Sequence, residues 1–189
     1  EMVNGLREGQ GTMKYPDGKV YTGKWKDDKR CGHGIVHRPD GGIMEGEFKD
    51  DHAHGKGTVK IEGKTVFEGE FANGKMFKGT YSNSKGWVYE GSFENGKPNG
   101  KGKSVATNGL ITEGDFKDGK AHGKVKMTFP KGGTYEGDAF EGIPQGKGTY
   151  TYPDGSYYTG EIISAKKHGK GREYRPEKSI YIGEFEEGK

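Results

Sequence analysis

Cysteine appears once in this chain, as Cys31, and tryptophan twice; hydrophobic residues of every kind make up only 28% of the 189 positions. A lone cysteine excludes an internal disulfide framework and fits a reducing compartment. Asn-x-Ser/Thr acceptors are missing, as is the pattern of a signal peptide. No apolar run approaches the roughly 20 residues a membrane-spanning helix needs. These absences predict a cytoplasmic protein. A dominant charge is lacking too: 31 Lys and Arg stand against 28 Asp and Glu, for a net charge of +3. That balance argues against a dedicated nucleic-acid binder. Few hydrophobic residues with 31% charged ones would suggest disorder if their order were ignored.

The order says otherwise. Glycine fills 37 positions, and a motif of aromatic-any-Gly recurs as Tyr21-Thr22-Gly23, Phe67-Glu68-Gly69, Tyr89-Glu90-Gly91, Tyr135-Glu136-Gly137, Tyr158-Thr159-Gly160 and Tyr181-Ile182-Gly183. Met44 and Thr112 take the aromatic place in two further copies, and successive glycines lie 23 residues apart except for one step of 22. A period of this size means that one supersecondary unit is stacked repeatedly, each copy burying surface against its neighbours. Residues 1–189 therefore read as a single array of about eight repeats. The chain starts and stops inside a repeat, which predicts a fragment of a longer array.

The motif is followed 10 or 11 residues later by Gly-x-Gly, as in Gly55/Gly57, Gly100/Gly102 and Gly146/Gly148, with two departures, Phe77 before Gly79 and Val125 after Gly123. Turn signals separate the two: Asn73-Gly74, Asn95-Gly96 and Asp118-Gly119 on one side, Pro16-Asp17-Gly18 and Pro153-Asp154-Gly155 on the other. Asn-Gly and Asp-Gly between alternating residues mark β-hairpins. The predicted fold is all-β: an elongated, twisted, single-layer antiparallel sheet of tandem 23-residue hairpins. Departures fall at Asn73–Phe77, which loses a loop residue; at Lys64, in place of a turn Gly; at Ala139, in place of a ring; and at Lys166-Lys167, in place of a turn.

Residues two apart on a strand share a face, so the rings line one side, with glycines as sockets between them. Tyr21, Trp25, Phe48, Phe67, Phe71, Tyr89, Phe93, Phe116, Tyr135 and Tyr158 should form a partly uncovered groove. An exposed apolar strip rich in Tyr, Trp and Phe marks a place where protein partners dock. The other face should carry columns of opposite charge, with Lys56, Lys78, Lys101, Lys124, Lys147 and Lys170 beside acids such as Glu70, Asp115 and Asp138.

Tyr-x-Gly-x-Trp/Phe, then Asn/Asp-Gly-Lys-x-His-Gly-x-Gly, then Pro-Asp-Gly, as in Tyr89 to Gly109 or Tyr135 to Gly155, resembles the MORN repeat (membrane occupation and recognition nexus). The resemblance covers the whole chain. It implies a hairpin-per-repeat sheet of the kind found in cytoskeletal scaffolds and junctional membrane proteins. An array of repeats alone is most like the cytoskeletal MORN scaffolds of protozoan parasites, which form homodimers. That placement implies a protein of the cytoskeleton or membrane cortex, a homodimer binding other proteins.

Two narrower sites remain. Lys166, Lys167, Lys170, Arg172 and Arg175 form the densest basic stretch, the basis of the alternative reading as a peripheral membrane protein that binds phosphoinositides, anionic phospholipids. Cys31 and His54 occupy equivalent positions in adjacent hairpins, and with His33 and His52 they make a set whose chemistry suits zinc; the resemblance adds zinc at a dimer contact in some parasite relatives. Histidine is also the repeat's usual residue before Gly, as at His122 and His168. No cofactor is required by any of this. No Ser/His/Asp or Cys/His set stands apart from the repeat, and Gly102-Lys103-Ser104 lacks the remainder of a phosphate loop, so the chain is read as a protein without catalytic activity.

Overall fold

A computed structural model describes residues 1–177 and 179–189. Among the described residues there are eighteen strands and no helix. They fall into two compact units, Glu1–Ser84 with Ser92–Gly96, and Lys85–Gly91 with Lys97–Lys189. The first unit opens on a two-strand ladder of β1 (Met2–Val3) and β2 (Leu6–Arg7). There follow β3 (Gly9–Lys14), β4 (Val20–Lys26), β5 (Lys29–His37), β6 (Ile43–Lys49), β7 (His52–Ile61), β8 (Lys64–Ala72) and β9 (Lys75–Ser82). The strand β10 (Val88–Glu94) is divided between the units. The second unit continues with β11 (Lys97–Val105), β12 (Ile111–Lys117), β13 (Lys120–Thr128), β14 (Thr134–Phe140), β15 (Ile143–Thr151), β16 (Tyr157–Ile163), β17 (Lys166–Tyr174) and β18 (Ile180–Phe185). From β3 onward every strand within each unit pairs antiparallel with its neighbour in the chain, so each is built of consecutive hairpins as the repeat predicts.

Two kinds of connection alternate. The tight one is a two-residue turn with both residues left-handed, such as Asn73-Gly74 and Asp118-Gly119, the geometry that matches the twist of paired strands. The other is a three-residue loop. In Tyr152-Pro153-Asp154-Gly155-Ser156 the Gly155 amide donates to the Tyr152 carbonyl, the Tyr152 amide donates to the Ser156 carbonyl, and the Asp154 carboxylate accepts from the Ser156 amide at 2.9 Å. The departure at Lys64 resolves differently from the expectation: Glu62-Gly63 make a two-residue turn there and Lys64 opens β8. Likewise Ser164-Ala165 form the turn before β17, and Lys166 and Lys167 belong to the strand.

Tight turns also tie each hairpin to the one before. In the second unit the amides of Gly119, Gly142, Ala165 and Gly188 donate to the carbonyls of Pro98, Ala121, Pro144 and Lys167. One feature of the hairpins was not legible as such. The register slips by two residues beside the strand glycine, as between Gly137 and Ala139 on β14, where Gln145, Gly146 and Lys147 face Asp138 alone. The first glycine of the facing Gly-x-Gly lies in this bulge, and Gly146 takes a left-handed φ of 99° there. Only the second glycine of the pair is a socket for a ring; the first is a bulge.

Candidate functional site

The aromatic face is built by one contact repeated. The Tyr135 ring lies across Gly137 of its own strand and Gly148 of the next, where an added β-carbon would come within 2.7 Å of the ring. Its hydroxyl then donates to the carbonyl three residues on, Asp138 O, at 2.5 Å. Tyr21 to Lys24 O (3.1 Å), Tyr158 to Glu161 O (2.7 Å) and Tyr181 to Glu184 O (3.3 Å) repeat it. The slip in register beside the glycine frees that carbonyl from the ladder, and the phenol satisfies it. Burial, the largest influence, pushes the Tyr21 hydroxyl up to about 12 and raises Tyr135 and Tyr158 as well.

Edge-to-face contacts link the rings: Tyr21 with Trp25 and Phe48, both at 5.2 Å, Tyr89 with Phe116 at 5.0 Å, and Tyr158 with Phe185 at 4.9 Å. The ten rings expected to line an open groove are buried, from 0% exposed at Tyr21, Tyr89, Tyr135 and Tyr158 to 6% at Phe48, Phe71 and Phe93. The expectation of a partly uncovered aromatic face is thus corrected for these side chains. They are the core of the sheets, because neighbouring rows close over them.

One covering row comes from the second residue after each tight turn. It faces the second apolar residue of the motif across the hairpin: Arg30 opposite Trp25, Ala53 opposite Phe48, Met76 opposite Phe71, Ala121 opposite Phe116, Pro144 opposite Ala139 and Lys167 opposite Ile162. Arg7 lies 4.1 Å over the Trp25 ring, and its Nε donates to Asp28 at 2.7 Å. Arg30 reaches over Tyr21 and Phe48 and is held by the carboxylate and the carbonyl of Asp51. Lys167 lies under 6 Å from the centres of Tyr152, Tyr158 and Phe185 and pairs with Glu173 at 2.7 Å, the two side chains being 14% and 16% exposed. Where Ala139 replaces a ring, Ala139 is buried and Phe140 points out, 54% exposed.

What the aromatic face leaves accessible was missed in the sequence. Phe129, Tyr150 and Tyr152 are half-buried and nearly parallel, with centres 6.3 and 6.4 Å apart. Of the three, Tyr152 borders an open cavity of about 680 Å³ beside Lys167 and Glu173. The signal was a ring directly before a Pro-x-Gly loop, in Phe129-Pro130 and Tyr152-Pro153.

The opposite face carries the expected charge columns. Lys101 meets Asp115 at 2.8 Å, Lys103 meets Glu113 at 2.9 Å, Lys124 meets Asp138 at 2.7 Å and Lys126 meets Glu136 at 2.6 Å. The hydrogen bond from Lys124, ahead of other influences, holds the Asp138 carboxyl below its usual range. Of the basic stretch, Lys166, Lys170 and Arg172 are exposed here, but Lys167 is turned to the aromatic face and Arg175 reaches Glu173 at 3.8 Å. The five cations do not make one patch. Cys31 and His33 lie on β5 and His52 and His54 on β7, with β6 between them. His33 Nε2 is 3.5 Å from Glu45, and His52 Nδ1 is 2.7 Å from the Asp50 carbonyl. Among the described residues no three His, Cys, Asp or Glu side chains gather into a metal-sized group.

Comparison with known proteins follows the same lines. No curated protein matches the chain. Among solved structures, the chain is similar to the SAS-4 (dCPAP) TCP domain of Drosophila melanogaster, solved with a proline-rich motif of Ana2 (dSTIL). The identity is 12%, 94% of this chain and 90% of that one are covered, and the TM-score is 0.51, a likeness of fold. A mutant TCP10 domain of Danio rerio CPAP aligns at 13% identity over 94% of this chain and 90% of that one, with a TM-score of 0.47. The MORN repeat pattern matches residues 1–20, 21–43, 45–60, 67–88, 89–111, 113–134, 135–157 and 158–179. The gap at 61–66 is where the Glu62-Gly63 turn replaces a three-residue loop. With eight matched copies, each a hairpin whose strand glycine sets its register, the chain belongs to the MORN repeat family.

Proposed function

We propose that this chain is a non-enzymatic scaffold that self-associates and holds protein partners at the cytoskeleton or the membrane cortex. The observation that carries the reading is how the reactive side chains are used. Carboxylates, lysines and tyrosine hydroxyls are tied into pairs and caps that repeat along the sheets, while apolar side chains remain exposed at a few irregular places. Phe140, Ile143 and Ile163 stand about half exposed at neighbouring hairpin tips, where other copies carry Lys26, Lys29, Lys117 and Lys120. Exposed apolar groups gathered on a repeat surface favour association. The fold neighbour solved with a segment of another protein supports a partner-binding role.

Light scattering on a sizing column tests self-association. A dimer is expected, and Phe140→Glu with Ile163→Glu should leave a monomer with an unchanged circular dichroism spectrum. A wild-type monomer would sink self-association. Repeating the run with a zinc chelator decides whether Cys31, His33, His52 and His54 bridge copies. A second reading rests on Lys166, Lys170 and Arg172 sharing the charged face: these would bind phosphoinositide head groups. Sedimentation with phosphoinositide vesicles that fades with salt and is abolished by reversing the three cations would move the function there.

A further inference from the structure

We propose that the cavity at the C-terminal end of the second unit, bounded by Tyr152, Pro153, Glu173, Arg175 and Pro176, seats an extended proline-rich segment of a partner protein bearing an arginine or lysine. The proposal deepens the scaffold reading and rests on it.

The shape of the site favours an extended guest. The cavity of about 680 Å³ is open to solvent and lined by Tyr152, the end of a half-buried row of rings that runs on through Tyr150 to Phe129. Their planes lie within 20° and 25° of one another, at steps of 6.4 and 6.3 Å. A polyproline helix rises about 3.1 Å per residue, so one ring step is close to the rise of two residues. Proline rings pack well on such aromatic rows, and their chain is already extended before binding.

The loop amides around the site are already paired. Tyr152 N donates to Ser156 O at 2.8 Å and Arg175 N to Ser179 O at 3.0 Å, so these loop amides are closed on themselves. A segment rich in proline, which has no amide hydrogen, asks nothing of them.

Charge sets the remaining preference. Lys167 and Arg175 both engage Glu173. Asp154 and Glu177, on the two loops at the rim, are exposed and held by their own loops: Asp154 accepts from Ser156 Oγ at 2.6 Å and Glu177 from Ser179 Oγ at 2.8 Å. Glu177 feels the Arg175 cation first and then the Asp154 carboxylate, so the three charges stand near one another at the rim. The same position one and two repeats earlier is Lys131 and Asn108, so within the second unit the acidic pair stands at this end; in the first unit the equivalent loops carry Asp17 and Asp40. A cation on the guest would meet both carboxylates.

Titration calorimetry with synthetic peptides of about ten residues tests the proposal: one of repeated Pro-Pro-Ala with a single arginine, one with its prolines changed to alanine, and one with the arginine changed to glutamate. The first should bind. The alanine peptide, and the Tyr152→Ala variant with the first peptide, should bind at least about tenfold more weakly. Asp154→Asn with Glu177→Gln should weaken the arginine peptide several-fold and flatten its salt dependence. No binding by the first peptide, equal binding by the alanine peptide, or unchanged binding by a folded Tyr152→Ala would each overturn it. Self-association of the wild-type chain in light scattering would persist in any of these cases, so the failure of this site is separable from failure of the scaffold.

Discussion

At the turn between β6 and β7, Asp50 and Asp51 both take left-handed backbone angles, with φ of 47° and 68°; at the same place between β14 and β15 the turn is Glu141-Gly142. A side chain at the second left-handed position carries a cost of about 1 kcal/mol that glycine avoids. Asp51 offsets it by accepting the amide of Arg30 at 2.9 Å and the guanidinium at 3.3 Å, which draws Arg30 over Tyr21 and Phe48. Gly142 holds only the carbonyl of Ala121, and there the cover is a small apolar side chain packed without charge. Two regions of one repeated fold thus cover their rings by different means, one through a directed ion pair and one through close packing. At these two places the tight turn and the covering residue differ together, Asp51 with Arg30 and Gly142 with Ala121.

The sharpest way to break the comparison is to remove what both regions share. Gly148→Ala places a β-carbon against the Tyr135 ring and should cost about 3 kcal/mol in urea unfolding. Gly57→Ala, in a copy where Met44 stands in place of the tyrosine, should cost less, since the nearest atoms are the Glu45 carbonyl at 2.9 Å and the Phe71 ring at 3.2 Å. Equal losses would mean that backbone approach, and not the tyrosine, dictates the glycine. Next in size, Arg30→Ala should destabilise the fold by about 2 kcal/mol, leaving Asp51 strained and unpaired. Adding Asp51→Gly should return about 1 kcal/mol of that loss. If the double variant is no more stable than the single, the two residues are not a coupled pair.

The smallest effect is a response to acid. The hydrogen bond from Arg7 holds the Asp28 carboxyl below its ordinary value of 3.8. A carboxyl depressed in the folded state contributes stability that is full above the unfolded value and is lost as pH falls through the folded one. The Arg7 cover should therefore loosen below about pH 4, whereas Ala121 and Pro144 have nothing to titrate. Nuclear magnetic resonance of the Trp25 indole, which donates to the Gly11 carbonyl at 3.3 Å, should show an acid-limb shift that the Ala121 methyl lacks. Asp138 is depressed as well, but it lies on the charged face and should move Lys124 instead.

Hairpins, their order and the two faces were legible because each rests on local chemistry: Asn73-Gly74 and Asp118-Gly119 dictate turns, and alternation on β12 places Thr112 and Phe116 on one side. The burial of the rings was not. It depends on residues 9 to 15 positions away, Arg30 and Val36 for Tyr21, Pro144 and Tyr150 for Tyr135, which a face-by-face reading treats as separate strands. Lys167 was misread for a related reason. Counted with Lys166 and Lys170 it is part of a basic run, but the slip in register beside Gly160 and the carboxylate of Glu173 turn it onto aromatic rings. Gly-x-Gly looked like one motif with one role, since a left-handed bulge and a flat socket are both written as glycine.

The bond from each tight turn to the carbonyl of the hairpin before it has a mechanical consequence. A hairpin under tension in the second unit is anchored on one side by its strand ladder and at its tip by a single amide, as Gly142 is to Ala121. Force applied along the chain would load those bonds one after another, not together. Each release would free one 23-residue copy, about 75–80 Å of chain at full extension, while the copies behind it kept their own turns fastened. Pulled in this way, the second unit would lengthen in steps, and its force record would count its repeats.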